Sequence, residues 1–107
     1  MDFNTLAQQL GLESDEFYML VELFVEVSNA DLDNLESGIK KEDTKQIVEA
    51  AHSIKGAAIN LGIEEITDIA KDVEEKAREK NLDGADEAVQ IIRKKLDQIN
   101  ASLKEQE

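Results

Sequence analysis

The apolar residues of this chain recur at the spacing of an α-helix, and no proline interrupts them anywhere in its 107 residues. Four segments carry apolar side chains at positions i, i+3, i+4 and i+7, the pattern of a helix that buries one face. Alternating β-branched or aromatic residues, which would indicate strands, are scarce, whereas Ala, Leu, Glu, Lys and Gln are abundant. Because these five are strong helix formers, the sequence predicts an all-α protein.

Glycines and helix-capping residues divide the chain into one short helix and four long ones. We predict breaks at Gly11, from Gly38 to Asp43, at Gly62 and at Gly84. The predicted helices cover residues 4–10, 15–37, 44–61, 64–80 and 85–104. The apolar stripe of the first long helix comprises Phe17, Leu20, Val21, Phe24, Leu32, Leu35 and Ile39. Since short connections favour antiparallel neighbours, we expect a single domain over residues 1–107, an antiparallel four-helix bundle with a short extra N-terminal helix.

The charge of the chain narrows the classes of partner. Twelve basic residues against 25 acidic ones give a net charge of −13, which repels nucleic acids and anionic membranes. The chain has no cysteine for a disulfide or a thiolate metal site. It also lacks an apolar run long enough to span a membrane and a recognisable signal peptide at its start. We therefore expect a cytoplasmic, monomeric protein, and the leading methionine and charged tail favour a stand-alone chain.

The only histidine, His52, lies on the third predicted helix, on the side that faces water. At about 100° per residue, apolar positions gather on one face of this helix. That predicted core face comprises Ile47, Ala50, Ala51, Ile54, Ala58 and Leu61. Because His52 lies roughly 150° from the centre of this face, its interpretation as a core histidine is disfavoured.

The residues around His52 are unusual for a solvated helix surface. Within about 60° of it on the same helix lie Lys45, Val48, Lys55, Gly56 and Ile59. A glycine inside a helix costs roughly 1 kcal/mol relative to alanine, so its presence here indicates that another molecule approaches closely. An exposed imidazole is a nucleophile near neutral pH, and a lysine one turn away supplies charge to phosphoryl oxygens. The pattern favours a phosphoryl-accepting histidine, with Val48 and Ile59 as dry docking contacts and Lys45 as a steering charge.

The segment HSIKG at residues 52–56, followed by two alanines and then by Leu61 and Gly62, resembles the signature of histidine-containing phosphotransfer (HPt) domains. The resemblance implies that His52 carries a phosphoryl group to or from the aspartate of a response-regulator receiver domain. It implies as partners receiver domains and a histidine kinase, hybrid or chemotaxis-type. It also implies no cofactor and no ATP site of its own, since the receiver supplies the Mg²⁺.

The same resemblance assigns roles to three further residues. Lys55 would steady the phosphoryl oxygens, and Gly56 would admit the active site of the receiver. Glu74 stands 22 positions after His52, where the family places a glutamine or glutamate that hydrogen-bonds the unreactive ring nitrogen. A glutamate there is similar to the phosphoacceptor domains of chemotaxis-type kinases, so direct loading by an ATP-binding kinase domain remains an alternative.

Three other interpretations have weaker support in the sequence. Glu49 and His52 have the Glu-x-x-His spacing of di-iron bundles, but such a site needs a second copy of that motif, so we expect no metal. The strip from Val48 to Ile59 could belong to a helical interaction module in which His52 is incidental. An enzyme is disfavoured because the sequence has no glycine-rich phosphate loop and no second general base near His52.

Overall fold

The computed structural model describes residues 3–106 and contains five α-helices and no strand within that range. The helices are α1 (Phe3–Gln9), α2 (Ser14–Lys41), α3 (Thr44–Leu61), α4 (Glu64–Arg78) and α5 (Ala85–Gln106). The all-α prediction and the division into one short and four long helices are confirmed.

The four long helices pack around one hydrophobic core. Helix α3 packs against α2 and α4, and α5 closes the bundle by packing against both α4 and α2, while α1 contacts α2. The largest fully buried side chains come from all four long helices: Phe17, Leu32, Leu35, Ile47, Ile54, Ile66, Ile92 and Leu96. Each such side chain contributes about 1.5 to 3 kcal/mol through its removal from water. No helix in residues 3–106 is long and apolar enough to cross a membrane.

Helix α2 extends past Gly38, where the sequence predicted a break. Gly38 is buried inside the helix, and a Cβ at this position would lie 3.1 Å from Cγ1 of Ile47 on α3. The glycine therefore permits a close approach of two helices and does not end one. The helix ends instead at Lys41, and the residue that caps it, Glu42, adopts a left-handed conformation with φ 55°. Helix α4 is shorter than predicted, since it ends at Arg78.

A capping residue at each end sets where α3 begins and ends. The Asp43 side chain accepts a hydrogen bond from the backbone N–H of Gln46 at 3.1 Å. Gly62 ends the helix with φ 72°, a conformation that glycine adopts without strain. Between these caps the buried residues of α3 are Ile47, Ala50, Ala51, Ile54, Ala58 and Leu61. This is the predicted core face, residue for residue, so the opposite face of α3 is directed to solvent.

Candidate functional site

His52 lies in the middle of α3 with its side chain 64% exposed. Its ring nitrogen Nδ1 is 3.0 Å from Oε2 of Glu74, which lies on α4 and whose side chain is only 4% exposed. The contact expected between these two residues is therefore present. It joins an exposed ring on α3 to a buried carboxylate on α4.

This contact selects one tautomer of the imidazole. An ionised carboxylate has no proton to donate, so Nδ1 of His52 must carry the hydrogen and donate it to Glu74. In a neutral ring the other nitrogen, Nε2, then keeps its lone pair. The arrangement leaves Nε2 as the nucleophilic atom of an exposed side chain.

Glu74 is held by two cations besides His52. Nζ of Lys55 is 2.6 Å from Oε1, and Nη2 of Arg78 is 2.8 Å from Oε2, the oxygen that also accepts from His52. Burial alone would raise the pKa of Glu74, but the ion pair with Lys55 and the hydrogen bonds with Arg78 and His52 outweigh burial and lower the pKa from 4.5 to about 2. The carboxylate is therefore ionised at neutral pH, as the tautomer requires.

The cluster formed by Glu74, Lys55 and Arg78 carries one more positive than negative charge, although the chain as a whole is strongly acidic. One carboxylate, Glu74, is paired with two permanent cations, Lys55 and Arg78, in a chain of net charge −13. The Lys55 ammonium has three N–H groups, so its contact with Glu74 leaves donors for another acceptor. An excess of positive charge and free donors beside a nucleophilic nitrogen suits a phosphoryl group.

The fold leaves open space at Gly56, one turn after His52. A Cβ built on Gly56 would find no atom within 4 Å, so packing inside the domain does not require a glycine here. This supports the interpretation that another molecule uses the space.

The three residues predicted to dock a partner differ in their exposure to solvent. Lys45 and Ile59 are exposed, as expected for a docking face. Val48 is instead half-buried and packs against the core. Its role as a docking contact stays a prediction.

The sequence did not single out Arg78 or the pair formed by Ser53 and Asp31. Arg78 lies four residues after Glu74 on α4, a spacing that pairs opposite charges on a helix and could have identified it. The hydroxyl of Ser53 donates to Oδ2 of Asp31 at 2.6 Å, which ties the His52 region of α3 to α2. Within residues 3–106 no group of three or more His, Cys, Asp or Glu side chains could hold a metal ion.

Comparisons with known proteins bear on the family and the fold of the chain. A family model described as "Hpt domain" matches residues 19–102. The chain is similar in structure to histidine-containing phosphotransfer protein B (HptB) from Pseudomonas aeruginosa PAO1, with a TM-score of 0.84 and 25% sequence identity. That similarity covers 99% of this chain and 92% of the other. No curated protein matches the chain by sequence. With the family model spanning most of its length, the chain belongs to the Hpt domain family.

Proposed function

We propose that the chain, as one domain over residues 1–107, is a phosphorelay intermediate whose phosphoacceptor is Nε2 of His52. The observation that carries the proposal is the exposed imidazole whose Nδ1 is held at 3.0 Å by the buried carboxylate of Glu74. Family membership and the fold shared with HptB support a phosphorelay function. They favour neither a chemotaxis-type acceptor domain nor an interaction module without phosphotransfer.

The transfer proceeds between two proteins. The Nε2 lone pair attacks the phosphorus of an aspartyl phosphate on a receiver domain, an N–P bond forms, and the P–O bond to the aspartate breaks. The aspartate leaves as a carboxylate, while Nδ1 of His52 keeps its proton and its hydrogen bond to Glu74. Transfer to a second receiver is the reverse of these steps. Mg²⁺, where needed, belongs to the receiver, and this domain contributes no cofactor and no ATP site.

Three side chains prepare the nucleophile and its product. Glu74 holds the tautomer, and its negative charge favours the positive charge that develops on the ring as the N–P bond forms. Lys55, now paired with Glu74, keeps N–H donors for the phosphoryl oxygens. Arg78 restrains the same carboxylate from the solvent side. These are the roles through which one exposed histidine becomes a phosphoryl carrier.

The receiver approaches over the outer face of α3. Gly56 gives it room beside His52, Ile59 offers an apolar contact, and Lys45 adds a cation at the edge. A histidine kinase supplies the phosphoryl group to this relay through a receiver domain.

A phosphotransfer assay tests the proposal. Purified protein is incubated with phosphorylated receiver domains of the host, and the label it acquires should be acid-labile and base-stable, as phosphohistidine is. His52→Gln should abolish the label yet melt close to wild type, because the side chain is exposed. Glu49→Gln, an exposed substitution on the same helix, serves as the matched control and should retain the label. Label retained by His52→Gln, or no label from any receiver, would refute the assignment.

A second incubation separates the sources of the phosphoryl group. With labelled ATP alone, the domain should remain unlabelled, since we propose that it has no ATP site. Efficient labelling by an isolated ATP-binding kinase domain, without a receiver, would instead establish the chemotaxis-type alternative.

A further inference from the structure

The turn between α4 and α5 contains the only aspartate–glycine pair in the chain, Asp83 and Gly84. The backbone N–H of Ala85 donates to the C=O of Leu82 at 3.2 Å, which closes a turn with this pair at its centre. Gly84 has φ 79°, a value that glycine adopts without strain in a turn of this kind. Its C=O accepts from the N–H of Ala88, so the pair immediately precedes α5.

The reactive groups of this pair are accessible. Asp83 and Gly84 are both exposed, and a Cβ built on Gly84 would find no atom within 4 Å. The N–H of Gly84 and the carboxylate of Asp83 make no hydrogen bond or ion pair with any of residues 3–106. The Gly84 nitrogen and Cγ of Asp83 belong to one short chain segment, so rotation about single bonds is enough to bring them together in a five-membered ring. Glycine adds no side chain that would obstruct this approach.

The other aspartates among the described residues are protected by secondary structure. Asp43 caps α3, where its side chain accepts from the N–H of Gln46 and the next nitrogen belongs to the β-branched Thr44. A helix fixes the backbone dihedral angles, so the nitrogen after a helical aspartate does not rotate toward its side-chain carbon. The aspartates of α2, α4 and α5 are in this position: Asp15, Asp31, Asp33, Asp68, Asp72, Asp86 and Asp97. Asp83 alone in residues 3–106 combines an unhindered neighbouring nitrogen with a backbone outside a helix.

We propose that Asp83 is a modification site, at which aspartate converts spontaneously to isoaspartate as the protein ages. The Gly84 nitrogen attacks Cγ of the protonated Asp83 carboxyl, the new N–C bond closes a succinimide ring, and the side-chain hydroxyl leaves with the nitrogen's hydrogen as water. Water then opens the ring on one of two sides. Cleavage of the Cγ–N bond restores aspartate, whereas cleavage at the main-chain carbonyl leaves the backbone running through Cβ and Cγ. The reaction needs no phosphoryl group and no partner protein, so it is independent of the proposed function.

Isomerisation adds one methylene to the backbone directly before α5. The turn that it lengthens lies between two residues held by the core, because Leu82 packs against the core and Ala85 is buried. The extra length separates the N–H of Ala85 from the C=O of Leu82, so the hydrogen bond that closes the turn is lost. The modified chain should therefore unfold at a lower temperature than the unmodified one.

Warm incubation of the intact protein near neutral pH tests the proposal. An isoaspartate carboxyl methyltransferase, supplied with labelled S-adenosylmethionine, should methylate aged wild type in an amount that rises with incubation time. Asp83→Glu should stay unlabelled, because its side chain would have to close a larger and slower-forming ring. Asp72→Glu, an exposed substitution inside α4, is the matched control and should be labelled like wild type. Wild type labelled no more than Asp83→Glu would overturn the proposal.

Two further measurements locate the change and its effect. Fragmentation of the aged protein in a mass spectrometer should place the isoaspartate at residue 83 with no change in mass, and isoaspartate found only at other residues would refute the assignment. Ion exchange separates the modified chains, whose melting temperature should be lower than that of fresh protein. An equal melting temperature would contradict the inference that the turn must keep its length.

Discussion

Replacement of Glu74 by glutamine should make the protein less sensitive to acid than wild type. In the folded protein the pKa of this carboxyl is lowered from 4.5 to about 2 by Lys55, Arg78 and His52. A lowered pKa stabilises the folded state only while the carboxyl is ionised in the unfolded chain. As the pH falls below about 4.5, the unfolded chain binds a proton at this position and the folded protein does not, so wild type loses that stability.

The size of the lost stability follows from the difference in the pKa of Glu74 between the unfolded and the folded protein. At about 1.4 kcal/mol per pKa unit, the whole shift corresponds to about 3 kcal/mol, most of which is lost before about pH 3. Glu74→Gln binds no proton at this position, so its own loss between about pH 6 and pH 3 should be smaller by about 2 kcal/mol. The difference in free energy of unfolding between wild type and variant should therefore narrow by this amount as the pH falls.

Urea unfolding followed by far-ultraviolet circular dichroism measures this difference. For a protein of this size, about 2 kcal/mol is a change of roughly 1.5 M in the separation of the two unfolding midpoints. Glu49→Gln removes an exposed carboxylate from α3 and reports what the loss of one surface charge does to the profile. If wild type and Glu74→Gln keep a constant separation from about pH 6 to pH 3, the ionised, cation-held carboxylate does not exist as described.

Three substitutions test packing elsewhere in the bundle. Gly56→Ala should raise the free energy of unfolding by about 1 kcal/mol, because the helix gains propensity and the new methyl group meets no atom; a loss of stability would show that the fold needs this glycine. Gly38→Ala should have the opposite sign, a loss of about 1 kcal/mol, since its Cβ would press on the buried Ile47, and a stabilised variant would contradict the close approach. Ser28→Ala should stabilise by about 1 kcal/mol, because the Ser28 hydroxyl is buried without a hydrogen-bond partner among the described residues. Thermal and urea unfolding measure all three, and a destabilised Ser28→Ala would indicate that the hydroxyl is satisfied in solution.

The sequence predicted α3 well because one helix is governed by local rules. Three local signals were enough to identify its core face and its bounds: the 3.6-residue period of apolar residues, the cap at Asp43 and the final Gly62. The same reasoning placed His52 on the solvent side before any neighbouring helix was known.

The predictions that differ from the structure concern residues whose surroundings depend on a second helix. A glycine ends many helices, but at Gly38 it makes room for Ile47 of α3, and a single helix gives no sign of which applies. A helical wheel likewise does not show how much of a helix its neighbours cover, and Val48, predicted to lie on the exposed face, is half-buried against the core. Leu20 was assigned to the core, but its side chain is 41% exposed. Helix α2 carries more apolar residues than one core face holds, and its sequence alone does not show which of them remain at the surface.

The contacts around His52 and the outer face of α2 lie on different helices, and this has a consequence for how the sequences of such proteins diverge. The groups that contact the His52 ring and its partner Glu74 lie on α3 and α4, whereas the exposed apolar side chains Met19, Leu23 and Val27 lie on α2. Substitutions at Met19 or Leu23 therefore change the outer surface of the bundle without touching the groups around His52. After duplication of such a chain, the two copies can diverge in the surface of one helix while the arrangement around the histidine stays the same.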